Sequence, residues 1–301
     1  MTQFLIITSN KDAASRNIKD KFIISNNFKF ERHRSKWHNN QLYKLESFFI
    51  DKTDNRILDD NEVFLGLTNE RLIFLNDLKL DQTDINPDIL IFASRHSSKS
   101  GKPALLVHTT GNWKGDIRYG GSKKIISKSS ALLLREGYLS LIEHSSNPKL
   151  RKFSIDIEVT HHGPTDLDVP LIFMELGSDT RDWNISAAGQ AVAKAIISTI
   201  TRYSRIKEDS NLKIGVGFGG THYAPQFQKL IRKHDIAVSF ICPKYFIRYL
   251  DQNCITQMIE KNKEPVDFFL LDWKGLNSKD KDHLMPLLED FDIPIKKTKD
   301  F

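Results

Sequence analysis

Residues 88–113 read DILIFASRHSSKSGKPALLVHTTGNW. A run of β-branched, aromatic and other apolar side chains from Ile89 to Ala93 gives way to Arg95 and His96. The polar turn SSKSGKP follows, and a second apolar run, ALLVH, stops at His108 before TTGN. Short continuous apolar runs between turn signals fit strands buried on both faces. In open α/β sheets ligands gather beyond the ends of such strands, so a histidine there carries more weight than one in mid-strand. Taken alone, His96 and His108 fit equally well as plain caps on two buried strands.

Working outward, the pattern repeats. KFSIDIEVTHHGPT alternates, with Phe153, Ile155, Ile157 and Val159 on one face and Ser154, Asp156, Glu158 and Thr160 on the other, and it too ends in histidines. VPLIFMELGS is a near-continuous apolar run with Glu175 near its exit. LKIGVGFGG leads to His222 and Tyr223, with Pro225 suited to the first turn of a following helix. AVSFICP and VDFFLLDWKGL supply further strands. Between them lie helical stretches at 127–147, where Leu133, Leu134, Leu141 and Ile142 face a core and Arg135, Glu136 and Glu143 face out, at the Ala-rich 186–204, and at QNCITQMIEKN. At the N-terminus FLIITS reads as a first strand, then a Ser9/Asn10 cap and a helix through DAASRNIKDKFI. FKFERHR and YKLESFFI alternate as strands, and NEVFLGLTNERLIFL holds another strand and turn.

Alternating strands and helices predict an α/β protein, a three-layer α/β/α sandwich around a mainly parallel mixed sheet, as a single domain over 1–301. Residues 28–75 form an antiparallel extension of that sheet or a second small domain.

The composition, 40% hydrophobic and 27% charged over 301 residues, is that of a globular chain able to bury its own core. No apolar run is long enough to span a membrane, and MTQFLIITSNKD lacks the basic start of a signal peptide, so a cytoplasmic protein is expected. Two cysteines outside any metal-type spacing agree with a reducing compartment. A formal charge of +6 and basic runs at 19–44, 114–128, 149–152, 202–207 and 229–233 suit either solvated surface or a polyanionic partner.

Histidines and a glutamate at successive strand exits converge if a parallel sheet brings those exits to one rim. His96, His108, His161, Glu175 and His222 are the candidates both for catalysis and for a metal, a subset serving as ligands. Histidine nitrogen and glutamate oxygen suit zinc, although no compact HExxH spacing is present. Without zinc, one histidine acts as general base and Glu175 orients it. His161 and His162 are adjacent, so strand geometry points them to opposite sides, and His161 is the preferred site residue. SSKSG is no Walker A loop, GVGFGG no dinucleotide fingerprint, and no G-x-S-x-G elbow marks a serine nucleophile, which leaves attack by water. Lys99, Gly101, Asn112, Trp183 and Tyr223 are candidates for substrate contact, and Asp272 with Lys274 forms either a site-edge ion pair or a cap and a surface lysine.

The ordered set RHSSKSGKPALLVHTTGNW, EVTHHGPTD, FMELGSDTRDW, GVGFGGTHYAP and DFFLLDWKGL resembles the archaeal and plant D-aminoacyl-tRNA deacylase family over nearly the whole chain. The resemblance implies a fold similar to phosphorylase and peptidyl-tRNA-hydrolase sandwiches. It also implies an association with zinc and hydrolysis of the ester joining a D-amino acid to the terminal adenosine of tRNA, with D-aminoacyl-tRNA as partner. By that likeness His96, Lys99, Gly101, His108, Gly111 and Asn112 match the first motif, and His161, His162, Gly163 and Thr165 the second. Glu175, Gly177 and Trp183 match the third, and Gly219, Gly220, His222 and Tyr223 the fourth. A peptidyl-tRNA hydrolase and a noncatalytic tRNA-binding module are the alternatives. The oligomeric state is left open, a monomer included.

Overall fold

The computed structural model describes residues 1–50, 58–206 and 211–301. Residues 51–57 of the expected N-terminal extension and Lys207 of a basic run lie outside them. The first half comprises β1 (Thr2–Ser9), α1 (Ala13–Ile24), β2 (Phe28–Trp37), β3 (Asn40–Phe48), β4 (Asn61–Thr68), β5 (Ile89–Arg95), β6 (Ala104–His108) and α2 (Ala131–His144). The second comprises β7 (Ser154–Ile157), β8 (Leu171–Gly177), α3 (Thr180–Trp183), α4 (Ser186–Tyr203), β9 (Lys213–Phe218), α5 (Pro225–Lys233), β10 (Ile236–Cys242), α6 (Gln252–Glu260), β11 (Phe268–Leu271), α7 (Ser278–Glu289) and β12 (Ile295–Lys297).

The α/β architecture is the expected one, with its strands shared between two sheets. The larger runs β2-β3-β4-β1-β5-β8-β6-β7 and the smaller β10-β9-β11-β12. The smaller sheet is parallel throughout. In the larger, β1 pairs in parallel with β4 and β5, β5 with β8, and β6 with β7, while β2 and β3 add an antiparallel edge. β6 runs antiparallel to β8. Residues 159–160, just past β7, tie the larger sheet to the smaller: Val159 N donates to His222 O and Thr160 N to Ile241 O of β10, at 2.9 and 3.1 Å.

Side-chain alternation divides the centre of the larger sheet. Ile91, Ala93, Leu105, Val107, Ile172, Met174 and Leu176 are buried in the core that includes α2 and α4 residues. Small residues let the helices come close: Gly137 of α2 sits where an added Cβ would lie 3.1 Å from Val107 Cγ2. Phe92 and Phe173 face the other way, stacked with centroids 4.6 Å apart, in a separate core with Leu72, Leu75 and Leu78.

Two local expectations are corrected. The cap of α1 is Asp12 rather than Ser9 or Asn10, its Oδ1 accepting from Ser15 N at 2.9 Å. Glu136 is buried rather than outward, because α2 is covered by α4 and held between the sheets, and the carboxylate pairs with Arg135. Helix α7, with its Asn277/Asp280 capping box, and strand β12 complete the smaller sheet's layer and fall in a polar stretch that the sequence reading passed over. Among the described residues no helix is long and apolar enough to cross a membrane.

Candidate active site

Strand register builds the site. Ser94 stands opposite Glu175, and Leu106 flanks Glu175 on its other side. Stepping by two from Phe92 and Phe173 reaches Ser94, His96 and Glu175, so the face that is aromatic lower down becomes polar near the strand ends. Ser94 Oγ donates to Glu175 Oε1 at 2.5 Å. His108 lies opposite Phe173 and stacks on it, with its Nε2 3.6 Å from Glu175 Oε1. Because β6 is antiparallel to β8, the histidines do not gather at one rim of parallel strands, and His108 reaches Glu175 by sharing its face.

The segment that follows β7 brings the rest. Glu158, 1% exposed, has Oε1 3.5 Å from His96 Nδ1 and 2.8 Å from His222 Nε2. His96 Nδ1 is also 3.5 Å from Glu175 Oε2, so the ring stands between two buried carboxylates. His222 Nδ1 lies 3.1 Å from the Tyr245 hydroxyl. His161 and His162 both join the cluster, with ring centroids 4.5 Å apart and 4.3 and 4.8 Å from that of His108. The expectation that they diverge fails because His162 has φ +43, a left-handed turn that ends strand geometry.

Burial opposes charge on His96 and His108, but the Glu175 and Glu158 carboxylates outweigh it and hold both imidazoles above their ordinary range. Burial alone would raise Glu175, yet His108 and His96 hold it well below the usual carboxylate range. His161 is held well below its ordinary value by burial and then by His108, His162 and His222. His162 is pushed down to about 3 by burial and by His108.

The donor set fits a metal. Nδ1 of His108, His161 and His162 lies 3.0, 2.7 and 2.7 Å from the backbone carbonyls of Thr109, Val159 and Gly163. A carbonyl can only accept, so each such contact places a proton on Nδ1 and leaves Nε2 as the atom able to ligate, the arrangement that backbone carbonyls impose on metal-binding histidine. Potential ligand atoms of these three histidines lie within 4.8 Å of one another, as do those of Glu158, His161 and His222, and those of His96, Glu158 and Glu175. Nε2 of His96 and of His108 and Oε2 of Glu158 are buried without a hydrogen bond, a cost of about 1–3 kcal/mol per group that a ligand would relieve.

Above the cluster opens a cavity of about 660 Å³ whose wall includes His96, His161, His162, Glu175 and His222. Its lining also carries the cations Lys11, Arg71, Arg95, Lys99 and Lys114 beside the acids Asp12 and Asp116. Lys99 and Asn112 line the cavity, the Asn112 side chain also donating to Gly120 O at 2.8 Å. Gly101 is on a turn outside the lining, at φ +61. Trp183 lies beneath, donating from Nε1 to His96 O at 2.8 Å, and Tyr223 stands beside His222 with centroids 5.3 Å apart. Asp272 ends β11, where its carbonyl accepts from Gly275 N at 2.9 Å, and neither it nor Lys274 lines the cavity. Glu158 is the group that sequence reasoning passed over. Its signal was a carboxylate in the polar register three residues before the histidine pair.

A family model described as D-aminoacyl-tRNA deacylase matches residues 83–296. The D-aminoacyl-tRNA deacylase of Thermococcus kodakarensis is 34% identical over 274 residues, 90% of this chain and 91% of that one. That of Methanocaldococcus jannaschii is 32% identical over 291 residues, 95% and 96% of the two chains. A crystal structure described as a conserved protein of unknown function superposes with a TM-score of 0.81 at 27% identity, covering 99% of this chain and 96% of its own.

Proposed function

The chain belongs to the D-aminoacyl-tRNA deacylase family, and from that premise we propose that it hydrolyses the ester between a D-amino acid and the 3′-terminal ribose of tRNA in the cytoplasm, by attack of water at the histidine–glutamate cluster. The observation that carries the reading is that His96, Glu175 and His222 line a cavity rich in cations, with the Glu158 carboxylate buried behind them against His96 and His222 and with His96 Nε2 left unpartnered. Hydrolysis leaves a carboxylate and a ribose hydroxyl, so one proton must leave the water and one must reach the ribose oxygen.

Glu158, buried behind that wall with His222 Nε2 2.8 Å from its Oε1, is the carboxylate we assign to accept the water's proton by way of this contact. His96 turns Nδ1 to the two carboxylates and keeps Nε2 free, which suits it to protonate the leaving oxygen. Glu175, fixed by Ser94, holds His96 and His108 in place. The preferred zinc-binding set is His108, His161 and His162, whose Nδ1 atoms are tied to backbone carbonyls. Bound there, zinc supplies Lewis-acid polarisation of the ester carbonyl and acidification of water. Lys99 in the lining is suited to a phosphate or ribose of the tRNA end.

The test is release of amino acid from matched D-tyrosyl-tRNA and L-tyrosyl-tRNA, before and after chelation and on adding zinc back. D-selective release that is lost with the metal and restored by zinc is expected. D-selective release indifferent to chelation would remove zinc from the reading and leave the histidines and glutamates as the only activators. Binding of tRNA without release would overturn the hydrolytic reading.

A further inference from the structure

Large apolar rings are normally turned inward, yet Tyr119 is 62% exposed at the wall of the catalytic cavity. Its backbone is pinned: Tyr119 O accepts from Gly163 N at 3.0 Å, beside the histidine pair, and Gly120 N donates to Ile117 O at 3.0 Å. Gly120 takes φ +82, and an added Cβ there would lie 1.7 Å from Ile73 O, so the loop holds one course against residues 71–74. An exposed ring on a fixed backbone is presented to something.

A second aromatic, Phe246, half-buried, also lines the cavity. It follows Tyr245, the hydroxyl partner of His222, with ring centroids 4.7 Å apart, and Tyr249 continues the row at 6.2 Å from Phe246. Cations are interleaved with the rings. Lys114 Nζ is 5.5 Å from the Phe246 centroid, and Arg248 lies over Tyr249 at 4.8 Å. Lys11 and Lys99, both at the cavity wall, have no acidic partner among the described residues. Lys114 Nζ also lies 3.9 Å from Asp116, so Lys11 and Lys99 are the unpaired cations of the set. Aromatic faces set among cations are how proteins hold single-stranded nucleic acid, bases on rings and phosphates on cations.

We propose that Tyr119 and Phe246, with Lys11, Lys99 and Lys114, form a track that holds the unpaired 3′ end of tRNA, stacking its bases and pairing its phosphates so that the terminal ester reaches the histidine–glutamate cluster. The inference rests on the deacylase reading and adds to it the residues that position the substrate. Stacking tolerates any base, so the track serves tRNAs of every amino acid.

Binding of a fluorescent single-stranded RNA with the tRNA 3′-terminal sequence tests it apart from turnover. Tyr119→Ala removes an exposed ring, and Phe246→Leu keeps apolar volume while removing the π face. Each should weaken RNA binding about tenfold, and each should raise KM for D-tyrosyl-tRNA and D-alanyl-tRNA alike by about tenfold with kcat within about twofold. Lys99→Ala should lower the salt dependence of RNA binding, the slope of log K against log salt falling by about 0.7 when a single phosphate is no longer neutralised. Wild-type RNA affinity in both aromatic variants overturns the track even if the wild-type protein hydrolyses D-tyrosyl-tRNA. A KM effect confined to D-tyrosyl-tRNA also overturns it, by assigning Tyr119 to the amino-acid side chain. Weakened RNA binding in the variants of a protein that releases no D-amino acid upholds the track and fails the deacylase reading.

Discussion

The two faces of β5, β8 and β6 do different work with neighbouring residues. On one face Ile91, Ala93, Val107, Ile172, Met174 and Leu176 are buried in the core shared with the helices. On the other, Phe92 and Phe173 give way within four residues to Ser94, His96 and Glu175, with His108 beside them. Met174 and Glu175 are adjacent in sequence and opposite in role. The apolar face has its stability in packing alone, so the polar face can keep unsatisfied atoms without loss of the fold. Strained or unsatisfied groups of that kind concentrate where a ligand completes them.

The contrast is broken most severely on the polar face. Glu158→Gln removes the proposed acceptor of the water proton with almost no change in volume. Turnover of D-tyrosyl-tRNA should fall about 10²- to 10⁴-fold while the melting temperature stays close to that of the parent. Steady-state rates on protein checked by thermal melting decide it, and full activity would remove Glu158 from the chemistry. The next effect belongs to the apolar face. Met174→Ala opens a cavity beneath α4 and should cost about 2–5 kcal/mol in denaturant unfolding, with kcat per folded molecule kept. A lost kcat at unchanged stability would show that the faces are not independent.

The smallest effect lies at the rim. Burial raises the Asp12 carboxyl above its ordinary 3.8, against the backbone hydrogen bonds from Ser15 and Arg95. Between 3.8 and the folded value the native state binds more protons than the unfolded one, so this group makes stability fall as pH rises through that window. Asp12→Asn abolishes the titration, so its stability deficit relative to the parent should shrink from about pH 4 to about pH 7. Melting curves at both pH values check this, and a deficit that grows with pH would contradict it.

Much of the polar face was legible because strand alternation is local: ILIFASRH, ALLVH and LIFMELG place Ser94, His96, His108 and Glu175 by register alone. Which strands pair is not local. The antiparallel run of β6 against β8 and the division of the strands into two sheets are set by contacts far apart in the chain, among them those of residues 159–160 with His222 and Ile241. Glu158 therefore read only as one of four polar residues on a strand's second face, although the His222 segment covers it. His162 was turned away by extrapolating strand geometry through a residue at φ +43. Asp12 was overlooked as a cap because Ser9 and Asn10 are equally good capping types and only the position of the first helical turn separates them.

The central claim, that the chemistry belongs to one face of this sheet and the stability to the other, is tested most directly by the neighbours Val107 and His108. Val107→Ala and His108→Gln would be compared for kcat/KM on D-tyrosyl-tRNA and for unfolding free energy. Val107→Ala should lose roughly 2 kcal/mol of stability and keep kcat/KM. His108→Gln should lose about a hundredfold or more in kcat/KM with the fold retained. Equal loss of activity in both variants, or full activity in His108→Gln, would contradict the account.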